Sequence, residues 1–578
     1  MSTSSAFSIR SREVASRFLQ SAVIVDDQAR LGREDSVQTV VSPGRGPRTK
    51  DGSKTQSAKS GPGAATHDLD AKRLIDAFAE LGVVCAVLKP DLGSAGAAAN
   101  EHADSIASLS KRTDEATKRA DIVILDWNIP NEEQPGQNAK DLIRRIFKTD
   151  EPEPRSDDHS RRLRLIVIYT GDSNLKAITG ELADFLPSLL PELPEIVDRG
   201  TYRVTAGPVT IAVYGKGRPT IVEADAQRRV DEAELPERLR DEFSEMTEGL
   251  LSNVALEALS AIRINTHRIL TRFNREVDAP YVAHRAMLQP PEEAEEHTVP
   301  LIASEIEGVL ADDKGIPELV GLQALTEWLD HIVLGDEAVQ VRLAMTAAAF
   351  KEALLALLKQ GLEHASREPM HPDWAALLTR LKSYDREAAS TITQILSPSE
   401  KGATIDMEFA RLTSLRSQYD APPPVLRLGS IVAQEESGKT LYLLCIQPVC
   451  DSVRIKSPRG FPFLKLKERP VGDENAFDFV IADKSEYKRL YVSRKAYDIR
   501  VIEMRPADES KCVEANRVSG DWLFQRKESS QHLRWLADLK PDFAHRVMNQ
   551  FASEIARVGL TESEWLRRMA TKTRPLGE

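Results

Sequence analysis

Four apolar runs in the first 220 residues end on side chains that can do chemistry: "SAVIVDDQ" on Asp26 and Asp27, "DIVILDW" on Asp126, "LRLIVIYTG" on Thr170 and "VTIAVYGKG" on Lys216. A carboxylate at the tip of a buried strand costs stability unless it is solvated, paired or put to use. If these runs are parallel strands of one open sheet, their carboxyl ends share a rim, which is where such sheets place ligands. Three carboxylates, a hydroxyl and an ammonium would then converge. Like charges that close raise each other's pKa unless a divalent cation neutralises them. Mg2+ suits the set, because it prefers hard oxygens, accepts one or two carboxylates and keeps positions for water and phosphate. One carboxylate can then act as nucleophile and form an aspartyl-phosphate, with the metal and the lysine stabilising phosphoryl oxygens.

The elements around these residues support one sheet. "DLDAKRLIDAFAELG" has an Asp start signal, helical spacing of Leu74, Phe78 and Leu81, and Gly82 as a stop. "VVCAVLKP" is a β-branched run bounded by Pro90, and helical segments are expected at about 100–119, 138–147 and 175–190. Five strands alternating with helices predict a flavodoxin-like α/β domain with a doubly wound five-stranded parallel sheet. The expected α/β domain spans 1–227. It is interrupted at about 30–67 by a polar, basic stretch ("SPGRGPRTKDGSKTQSAKSGPG") whose composition cannot support a core and is expected to be disordered.

Beyond it the pattern changes. Residues 228–420 read as helices without a convincing strand, as in "RLAMTAAAFKEALLALLKQGLEHA", a helical domain or connector. "DAPPPV" marks a linker, since three prolines extend the chain. Residues 421–528 read as a β-rich domain, a small barrel or sandwich with strands "VLRLGSIVAQ", "KTLYLLCIQP", "DSVRI", "FDFVIAD", "RLYVS" and "YDIRVIEMRP". The remainder, 529–578, reads as C-terminal helices. At 578 residues a multidomain chain is expected, and no internal repeat is found.

The strand-end residues resemble a known family. "VIVDDQ", "LDWNIPN", "IYTG" and "VYGKG" look like the receiver domain of two-component response regulators, and "DWNIP" is close to the phosphorylation-site sequence of the chemotaxis receiver. The resemblance covers roughly residues 20–225. It implies that Asp126 is the phosphoacceptor, that Asp26 and Asp27 hold Mg2+ together with Asp126 and the Asn128 backbone carbonyl, that Thr170 bonds a phosphoryl oxygen, and that Lys216 pairs with the phosphate. A histidine kinase is the implied partner. Two positions depart from the pattern. Gly217 follows Lys216 where receivers usually have proline, with Pro219 later, and Val213 occupies the usual aromatic switch position, with Tyr214 adjacent. The domain is also enlarged by "TDEPEPRSDDHSRR" before the fourth strand. As a whole, an atypical receiver with a long C-terminal part looks like a component of bacterial two-component anti-phage systems such as Detocs, where one receiver protein acts as a phosphate buffer beside a second, receiver-bearing effector.

Bulk properties narrow the alternatives. Apolar residues make up 41% and charged residues 29%, ordinary for a globular chain. No run approaches the ~18 apolar residues of a membrane span, and "MSTSSAFSIRSREVASRF" carries charges where a signal peptide would be apolar, so a cytoplasmic protein is expected. Four cysteines (Cys85, Cys445, Cys450, Cys512) are too few for a disulfide framework and read as reduced and mostly buried. A net charge of -12 and no placeable recognition helix disfavour nucleic acid as a partner. "ESGKT" (Glu436 to Thr440) lacks the first glycine of a phosphate loop and leads into a strand. Cys450 beside Asp451 has no neighbouring His and reads as a buried strand and turn, and His267 reads as an ordinary helical histidine. The sequence therefore predicts a phosphoacceptor regulator rather than an enzyme. Two other classes stay open: an effector whose C-terminal domain acts on nucleotide or nucleic acid when phosphorylated, and a non-catalytic scaffold that docks a kinase.

Overall fold

The computed structural model describes residues 5–30, 69–89, 111–129, 134–150, 162–189, 202–206, 208–217, 225–289, 291, 293–364, 371–383, 386–397, 402–418, 422–436, 438–469, 477–484, 486–527, 532–556, 566–567 and 569. The basic stretch at about 30–67, most of the segment before the fourth strand, and Pro219 lie outside the described residues. Contacts divide the chain into two compact units, residues 1–152 with 158–333, and residues 153–157 with 334–578.

The first unit opens with a helix that the sequence reading did not anticipate, α1 (Ala6–Phe18). Ser5 caps it by accepting from the Ser8 N–H, and Phe7, Val14 and Ala15 are its buried apolar face. The alternation then runs β1 (Ser21–Val25), α2 (Ala71–Glu80), β2 (Val84–Leu88), β3 (Ile122–Leu125), α3 (Gln137–Thr149), β4 (Arg164–Thr170), α4 (Leu175–Leu189), β5 (Arg203–Ala206), β6 (Val209–Lys216), β7 (Arg229–Val230) and α5 (Leu235–Thr247). The sheet order is β2-β1-β3-β4-β6-β5, with β7 paired to β6. The five expected strands pair parallel with one another. The sheet is nevertheless wider than expected, because β5 adds an antiparallel edge to β6 and the two-residue β7 pairs on as well.

Helices on both faces explain why these strands read as continuous apolar runs. Val23, Val25, Val123, Leu125, Ile166, Ile168, Ile211 and Val213 pack with α3 and α4. The alternate residues Ala22, Ile24, Ile122, Ile124, Leu165, Val167, Ala212 and Tyr214 pack with residues of α1, α2 and α5. A parallel sheet in this order aligns every strand's carboxyl end on one edge, which is what a shared rim requires.

As expected, residues from 228 to 418 are mainly helical, with β7 as an exception, and the C-terminal region is an antiparallel sheet. Its strands are β8 (Ser430–Glu436), β9 (Lys439–Cys445), β10 (Arg459–Arg469), β11 (Phe479–Asp483), β12 (Glu486–Val492), β13 (Ile499–Met504), β14 (Ala515–Val518), β15 (Asp521–Gln525) and β16 (His532–Asp538). They join one nine-stranded sheet in the order β11-β12-β10-β9-β8-β16-β15-β14, with β13 on β10. The expectation of a small barrel or sandwich is met to the level of an antiparallel sheet.

Two local expectations fail for physical reasons. "DSVRI" is not a strand: Val449–Asp451 form a 3-10 turn after Pro448, and Arg454 adopts φ 59. The helices expected from Ser530 begin later, because Leu533, Leu536 and Leu539, although spaced like a helix face, fall on and beside β16, which pairs antiparallel with β8 and β15. The helix starts at Pro541, where a missing N–H costs nothing, and runs Pro541–Ile555. The cysteines also differ from expectation, since Cys445 is buried but Cys450 is exposed on the 3-10 turn. Among the described residues no helix is long and apolar enough to cross a membrane.

Candidate functional site

At the carboxyl rim of the first sheet, ligand atoms of Asp26, Asp27 and Asp126 lie within 4.8 Å of one another. β1 and β3 are adjacent and in register, with Val25 opposite Leu125, so the next residue on each strand falls side by side. The Asp126 N–H still donates to Val25 O at 3.0 Å and the Asp26 N–H to Leu88 O at 3.2 Å, so sheet hydrogen bonding fixes both backbones up to the acids.

Lys216, at the end of β6, reaches the same point. Its Nζ donates to Asp26 Oδ2 at 2.6 Å and to Asp126 Oδ2 at 2.7 Å, with all three side chains nearly fully buried. One ammonium against three carboxylates leaves a formal charge of -2 in a poorly solvated place. Burial pushes the Asp26 carboxyl up; Lys216 opposes that shift and Asp126 adds to it, and the result is about 6. Burial, and then Asp126, also raise Asp27. Burial opposes the charge on Lys216, but Asp126 and Asp26 outweigh it and raise its pKa. Asp27 Oδ1 is buried with no hydrogen-bond partner among the described residues. An orphaned hard oxygen among surplus carboxylates is a donor set that fits a divalent cation such as Mg2+.

The neighbouring loops complete the rim. Thr170 ends β4, fully buried and opposite Gly215 in the register, and its hydroxyl accepts from the Asp172 N–H at 3.2 Å. The Asn128 N–H lies 3.3 Å from Asp126 Oδ1. Trp127, between Asp126 and Asn128, is buried against Gly136, where an added Cβ would come within 2.1 Å of the indole ring. Gly136 has φ +80, so space and backbone both demand glycine there. Asn138 Nδ2 donates to Ile129 O, tying the far side of the same loop to α3.

The sequence-derived residues Asp26, Asp27, Asp126 and Lys216 are thus gathered at one point, with Thr170 and Asn128 beside it. Both departures have structural correlates. Gly217 has φ +87, which proline's ring forbids. Val213 is buried in the α3/α4 core, while Tyr214 on the opposite face donates its hydroxyl to Glu242 of α5. The weaker candidates stand elsewhere. His267 is exposed, its Nδ1 3.0 Å from Ile264 O. Glu436 and Lys439 flank a hairpin turn in which Gly438 has φ +76.

Sequence reasoning missed Arg229 and Glu242. Neither belongs to a recognisable spacing, and both lie beyond the strand ending on Lys216, the last that the sequence predicts for the sheet.

Residues 18–220 match the family model of the response receiver domain, so this part of the chain is a receiver domain. Neither the curated proteins nor the solved structures compared with the chain gave a match.

Proposed function

We propose that this receiver domain accepts a phosphoryl group from a histidine kinase onto Asp126, with Mg2+ held by Asp26, Asp27, Asp126 and the Asn128 backbone carbonyl. The observation that carries the reading is the convergence of three carboxylates and one lysine at the sheet rim. In the transfer, an Asp126 oxygen forms a bond to phosphorus as the P–N bond of the kinase phosphohistidine breaks, and the imidazole leaves with the electron pair. Mg2+ would offset charge on the acids and on the incoming phosphoryl oxygens. Lys216, already on Asp126, is placed to pair with one of those oxygens, and Thr170 can donate its hydroxyl proton to another. The test is labelling by acetyl phosphate or a cognate kinase, with and without Mg2+. Wild type becomes labelled only with the metal, and Asp126→Ala stays at background; full labelling of Asp126→Ala overturns the assignment.

The biological role we infer is that of a phosphoacceptor regulator, not an enzyme, acting as a phosphate buffer in anti-phage defence beside a receiver-bearing effector. Support comes from the resemblance to Detocs-like systems and from the missing aromatic at Val213, which leaves the usual relay without a ring to swing. A second reading, a phosphorylation-controlled effector acting on nucleotide or nucleic acid, is favoured by one contact. Tyr214, two residues before Lys216, is bonded to Glu242 of α5, so the strand that carries the lysine is tied to a helix beyond the receiver match. Hydrogen exchange with beryllofluoride standing in for the phosphoryl group separates them. A buffer shows changes confined to the rim loops. Changes in protection spread through residues 230–578 favour the effector and overturn the buffer.

A further inference from the structure

Lys216 stands between Gly215 and Gly217, the two residues on either side that restrain a backbone least. The register with β4 ends at Gly215, so the Lys216 peptide is met from the other edge of the strand. Arg229, thirteen residues further on and outside the receiver match, is 8% exposed and reaches back to it. Its Nη1 donates to Lys216 O at 3.2 Å and its Nη2 to Asp172 O at 2.9 Å. Asp172 in turn donates its N–H to Thr170 Oγ1. One planar cation therefore holds the end of the lysine strand and the turn that caps the threonine hydroxyl.

Three further features keep the guanidinium there. β7 pairs in register with β6, Gly215 opposite Arg229 and Lys216 opposite Val230. The Tyr169 hydroxyl donates to Val230 O at 2.8 Å, anchoring β7 to β4 as well. A Cβ at position 215 would lie 3.0 Å from both Arg229 Cγ and Nη1, so glycine there is the room the arginine occupies.

We propose that Arg229 is a positioning residue for phosphoryl transfer at Asp126. It locks the Lys216 and Thr170 loops in one relative placement, so that ammonium and hydroxyl meet the phosphoryl oxygens together. This rests on the reading of the rim as a phosphoryl site. Misplacing a charge-stabilising group slows the chemical step more than it weakens ground-state binding. The carboxylates assigned to Mg2+ follow β1 and β3, whose backbones are held up to the acids by their own sheet hydrogen bonds.

The test uses the full chain with acetyl phosphate and Mg2+. Arg229→Gln is expected to lower the maximal labelling rate roughly tenfold, leaving KM for acetyl phosphate and the Mg2+ affinity unchanged. Arg229→Lys, whose single ammonium cannot present the two-pronged guanidinium fork, falls in between. Gly215→Ala keeps the charge but pushes on the same side chain, and slows labelling likewise. It and Arg229→Lys decide the matter if Arg229→Gln does not fold. A purely structural role would lower the urea midpoint without separating maximal rate from KM, and that result overturns the inference, as does a wild-type rate in folded Arg229→Gln. Absence of labelling in the wild type itself overturns the phosphoacceptor reading, and the inference with it.

Discussion

In the sheet of the second unit, Asp483 is buried with both oxygens taken: Tyr442 donates to Oδ2 at 2.8 Å and Arg534 to Oδ1 at 2.8 Å. Asp538 is buried too, and its Oδ1 accepts from Ser430 at 2.7 Å and from the Trp535 indole at 3.4 Å. At the rim of the first unit, one ammonium bonds two of three clustered acids, and Asp27 Oδ1 has no hydrogen-bond partner among the described residues. Both sheets bury carboxylates, but one satisfies them with its own groups and the other leaves a deficit of positive charge. A closed network reports on folding. An open one invites a ligand that brings charge, and this difference separates the candidate site from the structural acids.

The largest expected effects lie in the open set. Chelating Mg2+ is expected to abolish phosphoryl labelling altogether. Lys216→Met removes the ammonium bonded to two buried acids and should destabilise the metal-free protein by ~3–5 kcal/mol, part of which Mg2+ restores. Asp27→Ala should act in the opposite direction, relieving repulsion and stabilising the metal-free fold while weakening Mg2+ binding. Urea unfolding with and without Mg2+ measures both. If Lys216→Met and Asp27→Ala shift stability in the same direction, the rim is not electrostatically overloaded and the comparison breaks.

The closed set should respond differently. Tyr442→Phe takes one donor from the buried Asp483 carboxylate and should cost about 1.5–3 kcal/mol, with no dependence on Mg2+. A Mg2+-dependent change in this variant would mean that the second unit also holds a cation site.

The open site was legible in the sequence because its residues terminate apolar runs, and the end of a buried parallel strand is a place that periodicity alone locates. Asp26, Asp27, Asp126, Thr170 and Lys216 could all be named that way. The residues that hold the site were not, because they act from short or irregular elements. Arg229 sits in a two-residue strand. Gly136 matters through its positive φ and the Trp127 ring that packs on it. The C-terminal sheet was read less completely for a related reason. β10, "RGFPFLKLKER", carries a proline and charged residues that mask a strand, and β16 places leucines at helical spacing. In both, cross-strand pairing outweighs the local pattern.

Glu242 sharpens the comparison, because it lies in the same unit as the open rim yet belongs to a closed network. It is 3% exposed; its Oε1 accepts from the Tyr214 hydroxyl and from Arg228 at 2.7 Å, and its Oε2 is closed by charge, through an ion pair with Arg203, rather than by a hydrogen bond. Glu245 faces the same arginine. Burial alone would raise the pKa of Glu242, but the Tyr214 hydrogen bond and the Arg203 charge outweigh burial, and the net shift is downward. A carboxyl with a depressed folded pKa binds fewer protons folded than unfolded. Its contribution to stability is therefore fully present above the ordinary value of 4.5 and is lost as pH falls from there through the lowered one. Glu242→Gln keeps the shape but not the charge, so it should be less stable than wild type at neutral pH, with the gap closing below the ordinary carboxylate pKa. Urea midpoints of both proteins at neutral pH and in acid test this. A gap that stays constant with pH would show that the carboxylate gains nothing from its three partners, and the line between closed and open networks would then have to be drawn by burial instead of by charge.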